Sequence, residues 1–190
     1  MWSGGANPVL VDVAGSLPPG TALDLGCGEG GDAIWLAERG WRVTAVDVST
    51  VALERGATQA AERGADVARR IDWRHEDVTA WVPAEASYDL VSAQFMHLPK
   101  GPREALFRAL AAAVAPGGSL LIVGHHPSDL TAIPRPPLPD LFFTASDVAA
   151  LLDPHGWDIL VSAARERSVT DPDGRIGAIH DAVLRARRRG

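Results

Sequence analysis

The chain has 190 residues, 46% of them hydrophobic and 22% charged, which is enough for one α/β domain with its own core and excludes a disordered or fibrous protein. Its formal net charge of -6 at pH 7 gives no general attraction to nucleic acid or to an anionic membrane. These totals favour a small or neutral partner.

The sequence carries no signal for export or membrane insertion. The first ten residues lack a basic region followed by a long apolar one, and no window reaches the roughly 18 consecutive apolar residues of a membrane span. The single cysteine, Cys27, excludes an internal disulfide and a multi-cysteine zinc site, and it suits a reducing compartment. We therefore predict a cytoplasmic protein with one domain over residues 1–190, and the sequence leaves its oligomeric state open.

The first half of the chain alternates short apolar strands with helices. Apolar and β-branched runs that stop at glycine or aspartate indicate the strands, and Ser49 is a good N-cap residue for the helix after the second strand. The predicted elements are, in chain order, a strand "TALDLG", a helix "GDAIWLAERG", a strand "RVTAVDV", a helix from Ser49 to about Arg63 and a strand "IDWRHEDV".

The second half continues the alternation and ends in an antiparallel hairpin. The predicted elements are a strand "YDLVSAQF", a helix from about Pro102 to Val114, a strand "SLLIVGHH", a helix near Ser146 to Leu152, and two strands "WDILVSA" and "GAIHDAVLRA" joined through "DPDG". Five prolines prevent a regular helix within residues 126–143, which we expect to form a structured cover loop. The whole pattern predicts an α/β fold with a Rossmann-like, doubly wound sheet in a three-layer sandwich.

Glycines follow the first predicted strand in a pattern that suits a cofactor loop. Gly26, Gly28 and Gly31 match G-x-G-x-x-G, which lets the backbone approach a ligand and leads to the free N–H groups of a helix N-terminus. Asp47, at the end of the second strand, can accept hydrogen bonds from both ribose hydroxyls of an adenosine cofactor. NAD and S-adenosylmethionine share that ribose, so these residues alone leave both cofactors open.

Three features favour S-adenosylmethionine over NAD. Asp24 lies near the end of the buried first strand, where a carboxylate repels a pyrophosphate but attracts an ammonium and a sulfonium. Asp77, at the end of the predicted third strand, can accept a hydrogen bond from the exocyclic amine of adenine. The chain also closes in a hairpin where a dehydrogenase normally continues into a substrate domain.

With these residues in register, the sequence resembles the class I S-adenosylmethionine-dependent methyltransferases over nearly its whole length. "LDLGCGEG" resembles the first motif of that family, Asp47 the second, "EDV" the third, "YDLVSAQFMHL" the fourth and "PGGSLLIV" the run into the fifth strand. The resemblance implies a seven-stranded sheet of order 3-2-1-4-5-7-6 with strand 7 antiparallel, and a cofactor bound at the carboxyl ends of the first strands.

The resemblance also implies which residues bind the cofactor. Gly26, Cys27 and Gly28 would line its methionine part, with Asp24 facing the positive charge, and Gln94 would contact the amino group through its backbone. The residues expected at the ribose and adenine are Asp47, Val48, Asp77 and Val78.

The start of the chain is similar to the branch that includes thiopurine and tellurite methyltransferases. In that branch a tryptophan and an Asn-Pro precede a helix, as in "WSGGANPVLV". Residues 1–19 are then expected to form a substrate-side segment. Trp2 would lie over the methyl region of the cofactor, where an aromatic face can stabilise a sulfonium, with ordinary packing as the alternative.

Histidines follow the fourth and fifth predicted strands, at the edge where the transferred methyl group should lie. We predict that His97 or His125 acts as a general base, because histidine titrates near neutral pH, with hydrogen bonding to loop backbone as the alternative. A metal site built from the histidines with Asp129 is disfavoured, since the adjacent His125 and His126 would point in opposite directions on a strand. No metal is therefore expected.

The acceptor is expected to be a small molecule. The D/N-P-P-Y/F tetrapeptide of enzymes that methylate base amines in DNA is replaced here by "SAQF", which agrees with the acidic net charge. The sequence therefore predicts transfer of a methyl group from S-adenosylmethionine to a small-molecule O, N or S nucleophile. An NAD-dependent oxidoreductase and a non-catalytic module that binds S-adenosylmethionine are the alternatives.

Overall fold

A seven-stranded mixed sheet forms the centre of the computed structural model, which describes residues 4–129, 139–170 and 176–190. The strands are β1 (Thr21–Leu25), β2 (Arg42–Asp47), β3 (Ile71–His75), β4 (Tyr88–Gln94), β5 (Val114–His125), β6 (Trp157–Thr170) and β7 (Ile176–Arg188). The helices are α1 (Pro8–Ala14), α2 (Gly31–Glu38), α3 (Thr50–Arg63), α4 (Ala65–Ala68), α5 (Lys100–Ala113) and α6 (Ala145–Ala149), with a 3₁₀ turn at Pro139–Leu141.

The strand order is β3-β2-β1-β4-β5-β7-β6, and β7 is antiparallel to both of its neighbours. This confirms the predicted fold. The carboxyl ends of β1 to β5 meet at one edge of the sheet because these strands are parallel. In folds of this kind, ligands bind at that edge, where the strand order reverses.

Helices cover both faces of the sheet and enclose two hydrophobic cores. On one face Leu25 and Ile122 pack with α5 and α6, and on the other Ala22 and Val123 pack with α1, α2, α3 and α4. Strand β1 is buried on both faces, which explains its continuous apolar sequence. Asp24 is the exception within that strand, and it sits on the α2 face.

Capping residues fix where several helices begin. The Asn7 side chain accepts a hydrogen bond from the backbone N–H of Val9 at 2.8 Å and starts α1, and the Ser49 side chain accepts from the N–H of Ala52 at 3.2 Å and starts α3. Thr144 and Asp147 form a capping box at the start of α6. The predicted cap at Ser49 is confirmed.

The prediction for the end of the third strand was wrong. Strand β3 ends at His75, so "EDV" lies in the turn beyond it and not in the strand. At the end of β7, Arg188 donates to the carbonyls of Ala112 and Val114, and the exposed Arg189 pairs with Asp158.

Several predicted segments lie partly or wholly outside the described residues. They are Trp2, residues 130–138 of the 126–143 cover loop, and the "DPDG" turn between β6 and β7. Within the part of the chain that the structure describes, no helix is long and apolar enough to cross a membrane.

Candidate active site

The loop after β1 is held against β2 and kept free of side chains. The backbone N–H groups of Gly26 and Cys27 both donate to the carbonyl of Val46, at 2.8 and 3.0 Å. Gly26 has a φ of +72°, and a Cβ atom there would lie 2.6 Å from the sulfur of Met96. Only glycine tolerates both constraints, so the loop presents bare backbone at the edge of the sheet.

Asp47 closes this loop from the end of β2. Its Oδ2 accepts a hydrogen bond from the N–H of Gly28 at 2.8 Å, and its Oδ1 accepts one from the N–H of Ser49 at 2.9 Å. Each carboxylate oxygen can accept a second hydrogen bond, so the half-buried group keeps acceptor capacity for two hydroxyls. The role of Asp47 as a ribose ligand stays a prediction.

A second acid accompanies Asp24, and the sequence analysis missed it. Asp32, in the first turn of α2, accepts from the backbone N–H of Asn7 at 2.6 Å and from Nε2 of Gln94 at 2.5 Å. Asp24 is only 3% exposed, and its Oδ2 has no hydrogen-bond partner. An acid two residues after Gly30, at a helix N-terminus, was the available signal.

Burial disfavours the negative charge of both acids. The pKa of Asp24 is raised well above its usual range, first by burial and then by the nearby carboxylate of Asp32. Burial also raises the pKa of Asp32 to about 6, although hydrogen bonds from Asn7 and Gln94 oppose this rise. A buried carboxylate that interacts with a second, half-buried one is stabilised by a proton or by a ligand cation, so the site favours a positively charged group.

Gln94 is joined to these acids by its side chain. Nε2 reaches Asp32 and also Oγ of Ser92 at 3.3 Å, while the buried Oε1 has no hydrogen-bond partner. The sequence analysis assigned Gln94 a contact through its backbone. The structure adds a side-chain role in holding Asp32.

Cys27 is a packing residue within the loop. It is buried, and burial raises the pKa of its thiol well above the usual range, with Asp24 and Asp47 raising it further. A thiol that stays protonated is a poor nucleophile, so the chemistry of the site must come from other groups.

The predicted adenine ligands are less closely grouped than the acids. His75 Nε2 bonds the carbonyl of Val48 at 2.9 Å, and the N–H of Glu76 donates to the carbonyl of Asp47 at 3.2 Å, so the loop after β3 adjoins Asp47. Asp77 is exposed, and its Oδ1 accepts from the N–H and hydroxyl of Thr79, which lowers the pKa of this carboxyl. The carboxylate of Asp77 thus stabilises the turn at Asp77–Thr79 through these hydrogen bonds.

The valines of this region differ in exposure. Val48 is 65% exposed beside Asp47, whereas Val78 is half-buried against the α5 side of the core. An exposed apolar side chain at a cofactor edge can cover one face of a flat base. Val48 therefore has the more open position.

The segment after β4 connects the acids to a cluster of aromatic rings. Met96 packs over Gly26, and Phe95 and His97 contact the ring of His125 with centroid distances of 4.9 and 5.3 Å. Phe95 has a φ of +54°, which is strained for an aromatic residue. Such strain persists where the surroundings enforce it, often at functional sites.

His125 ends β5 within this cluster, next to an acid on β7. Phe142 lies 6.0 Å away between ring centroids, and Nδ1 of His125 is 4.0 Å from Oδ1 of Asp181. The other oxygen of Asp181 accepts from Nε of Arg167 at 2.7 Å. The two predicted catalytic histidines, His97 and His125, therefore lie in contact with each other.

In residues 4–129, 139–170 and 176–190, no group of three or more histidine, cysteine, aspartate or glutamate side chains could hold a metal ion.

A family model described as a methyltransferase domain matches residues 22–118, half of the chain. The chain belongs to the class I S-adenosylmethionine-dependent methyltransferases. S-adenosylmethionine is the cofactor of this family, and membership therefore decides between the two cofactors that the glycine loop left open.

Individual relatives agree with this assignment. An uncharacterized methyltransferase of Mycobacterium tuberculosis is 37% identical over 115 residues, which cover 60% of this chain and 55% of that protein. "Probable thiol methyltransferase 2" of Arabidopsis thaliana is 30% identical over 132 residues, covering 63% of this chain and 57% of that protein. The stretch of this chain that aligns thus covers just over half the length of each of these two relatives.

The fold is also that of solved structures. TehB from Haemophilus influenzae is 22% identical and superposes with a TM-score of 0.77 over 97% of this chain and 62% of that one. At this identity the likeness is one of architecture.

The residues at the carboxyl edge of the methyltransferase fit S-adenosylmethionine. The Oδ2 of buried Asp24 has no hydrogen-bond partner, and an ammonium could donate to it while compensating the charge of Asp24 and Asp32. Diphosphate oxygens would meet the same two acids with repulsion.

Proposed function

We propose that the chain transfers a methyl group from S-adenosylmethionine to an O, N or S nucleophile of a small molecule. One observation carries the proposal: a paired-acid site at the glycine loop is joined to a histidine and aromatic cluster by four consecutive residues, 94–97. Family membership supports the class of reaction.

The first end of the site would hold the cofactor. Asp24 and Asp32 would face its ammonium, the bare backbone of Gly26 and Gly28 would lie along its methionine part, and Asp47 would accept from its ribose. We also assign Cys27 and the backbone of Gln94 to the methionine part. The adenine contacts are assigned to Val48, Asp77 and Val78.

When bound, S-adenosylmethionine supplies an electrophilic methyl group, and the protein's own residues supply orientation and a dry site. Charge disperses along the reaction, so holding donor and acceptor in line provides most of the acceleration. The acceptor would lie against Phe95, Phe142 and His97, whose rings surround His125. His125 or His97 would take up the acceptor's proton.

A small acceptor fits the charge and the relatives of the chain. The net charge of -6 gives no attraction to nucleic acid, and the name of one relative specifies a thiol methyltransferase. A thiol, phenol or hydroxyl nucleophile benefits from proton removal near neutral pH, which suits histidine.

Incubation of the chain with S-adenosylmethionine and a panel of small thiols, phenols, amines and carboxylic acids tests this function. We expect one class to yield a methylated product together with an equal amount of S-adenosylhomocysteine, both measured by mass spectrometry. Asp24→Asn should abolish most of the turnover, and Asp158→Asn, which changes an exposed acid at the start of β6 that pairs with Arg189, serves as the matched control.

Tight cofactor binding without turnover of any acceptor would instead support the second candidate, a non-catalytic module that binds S-adenosylmethionine. Failure to bind the cofactor at all would refute both. Calorimetric titration with S-adenosylhomocysteine separates these outcomes.

A further inference from the structure

Strand pairing brings His125 and Asp181 together at the carboxyl edge of the sheet. The two residues are Cα partners in the antiparallel β5–β7 pair, so their side chains emerge on the same face. The distance from Nδ1 of His125 to Oδ1 of Asp181 is 4.0 Å, and the Asp181 side chain is 8% exposed. A small closure would convert this ion-pair distance into a hydrogen bond, as often happens when a site binds its ligand.

Arg167 on β6 holds the other side of the Asp181 carboxylate. Its Nε donates to Oδ2 at 2.7 Å, and its guanidinium carbon lies 5.9 Å from the centroid of the Phe95 ring. With one oxygen fixed by Arg167, the other oxygen is directed toward His125. The arrangement restricts the rotation of the acid and compensates part of its charge.

Among the described residues, aromatic rings and two titratable side chains surround His125. Phe95, His97 and Phe142 lie against its ring, and the titratable or charged groups that face it are His97 from the loop after β4 and Asp181 from β7. Arg167 of β6 acts on it through Asp181. Asp181 is therefore the negative charge that the described residues bring next to this imidazole.

We propose that Asp181 is a positioning residue that orients His125 as the general base, and that the acceptor carries its removable proton on the nucleophilic atom itself. This inference rests on the proposed function and specifies its base. A thiol, a phenol or a hydroxyl on a heteroatom meets the requirement, whereas a carboxylate that is already ionised at neutral pH has no need of the pair.

The proton and charge balance of the step follow from this geometry. Nε2 of His125 takes the proton from the acceptor's S–H or O–H, and the electron pair of that bond stays on the acceptor atom. Nδ1–H of the resulting imidazolium donates to Asp181, which stabilises the positive charge. The acceptor's new bond to the methyl carbon replaces the carbon–sulfur bond of the sulfonium, whose electron pair remains on sulfur. His125 then returns the proton to solvent.

Histidine ring NMR on the full chain tests the pairing without any acceptor. The chain has six histidines, and His125→Gln identifies the signal of His125. We expect Asp181→Asn to move the titration midpoint of His125 to lower pH by about one unit, because removal of a nearby negative charge disfavours the imidazolium. Arg167→Gln should move the same midpoint to higher pH, since it leaves the carboxylate uncompensated.

The two variants should shift the His125 midpoint in opposite directions, which distinguishes an electrostatic interaction with Asp181 from a general disturbance of the structure. Glu166→Gln is the matched control, because this exposed acid on β6 lies 3.9 Å from Nε2 of His180 and should leave the His125 midpoint unchanged. A His125 midpoint that stays the same in both Asp181→Asn and Arg167→Gln would overturn the proposal. If Asp181→Asn does not fold, Asp181→Glu and Arg167→Gln carry the test.

Kinetics then test the role of the pair, using whichever acceptor the panel identifies. Asp181→Asn should lower kcat about 10- to 100-fold with little change in the KM for S-adenosylmethionine, and Asp181→Glu should recover part of the loss. Full kcat in Asp181→Asn over the whole pH range would refute the positioning role. Absence of turnover in the unaltered chain is a failure of the proposed function instead, and the NMR result distinguishes the two.

Discussion

The carboxylate of Asp47 and the backbone N–H of Gly28 are 2.8 Å apart, so the end of β2 holds the glycine loop that follows β1. The same carboxylate accepts from the N–H of Ser49 and thereby also fixes the approach to α3. Asp47 thus orders the glycine loop through its hydrogen bonds, and each of its carboxylate oxygens can still accept a second hydrogen bond. This double use makes Asp47 the most direct test of the cofactor site.

Replacement of Asp47 by alanine should weaken binding of S-adenosylmethionine about ten-fold or more. A hydrogen bond to a charged group contributes about 1.5–3 kcal/mol, and the variant also loses the contact that orders the loop. Calorimetric titration measures the affinity. Asp72→Ala, an exposed acid on the neighbouring strand β3 that pairs with Arg74, should bind normally, and an unchanged affinity in Asp47→Ala would remove this residue from the site.

The affinity for S-adenosylmethionine should rise with pH through about 6. Burial raises the pKa of Asp32 to about 6, so the carboxylate is protonated below that pH and ionised above it. The cofactor's ammonium prefers the ionised form, so binding near pH 5 to 6 should release protons. Titrations in two buffers with different ionisation enthalpies detect that release.

Asp32→Asn should flatten this pH dependence. Asp66→Asn, an exposed acid paired with Arg69, should retain it. An affinity that stays constant from pH 5 to 8 in the unaltered chain would show that Asp32 does not face the cofactor.

The alternation of strands and helices could be read from the sequence because β1, β2 and β5 each contain a buried run of mostly apolar residues. Asp24 and Asp47 stood out for the same reason, as acids at the ends of buried runs. These signals are local, because each can be recognised from a residue and its immediate neighbours in the sequence.

Asp32 and Asp181 could not be assigned in this way because their partners are distant in sequence. Asp32 meets Asn7 and Gln94 across the sheet edge, and Asp181 meets His125 because β7 inserts between β5 and β6. The end of β3 was also misjudged, since Asp77 and Thr79 form a turn that competes with continuation of the strand.

Asp32 should reduce the stability of the cofactor-free chain as the pH rises. Its pKa is near 3.9 in an unfolded chain and about 6 in the folded one, so the folded state binds the proton more tightly. The stability that this proton provides is fully present below about pH 4 and is lost as the pH rises through about 6. The unfolding free energy of Asp32→Asn, relative to the unaltered chain, should therefore increase between pH 4 and 7.

The size of that increase should be on the order of 2 kcal/mol or less. An asparagine at position 32 can still accept from Asn7, and a rotated Gln94 amide can accept from it through Oε1, which has no partner now. Urea unfolding at a series of pH values measures the difference. A constant difference between pH 4 and 7 would contradict the raised pKa.

Gly30→Ala should destabilise the fold by about 1–3 kcal/mol. Gly30 has a φ of +78°, and an alanine Cβ there would lie 2.2 Å from the ring of Trp73, which also packs against Gly56. Because Trp73 also lies over Gly56, we expect the loop to shift together with the ring, and cofactor affinity should fall with stability. Gly101→Ala is the matched control: a Cβ atom there meets nothing within 4 Å, and the change should be neutral or slightly stabilising. Equal unfolding free energies for the two variants would show that the close approach of Trp73 does not require a glycine at position 30.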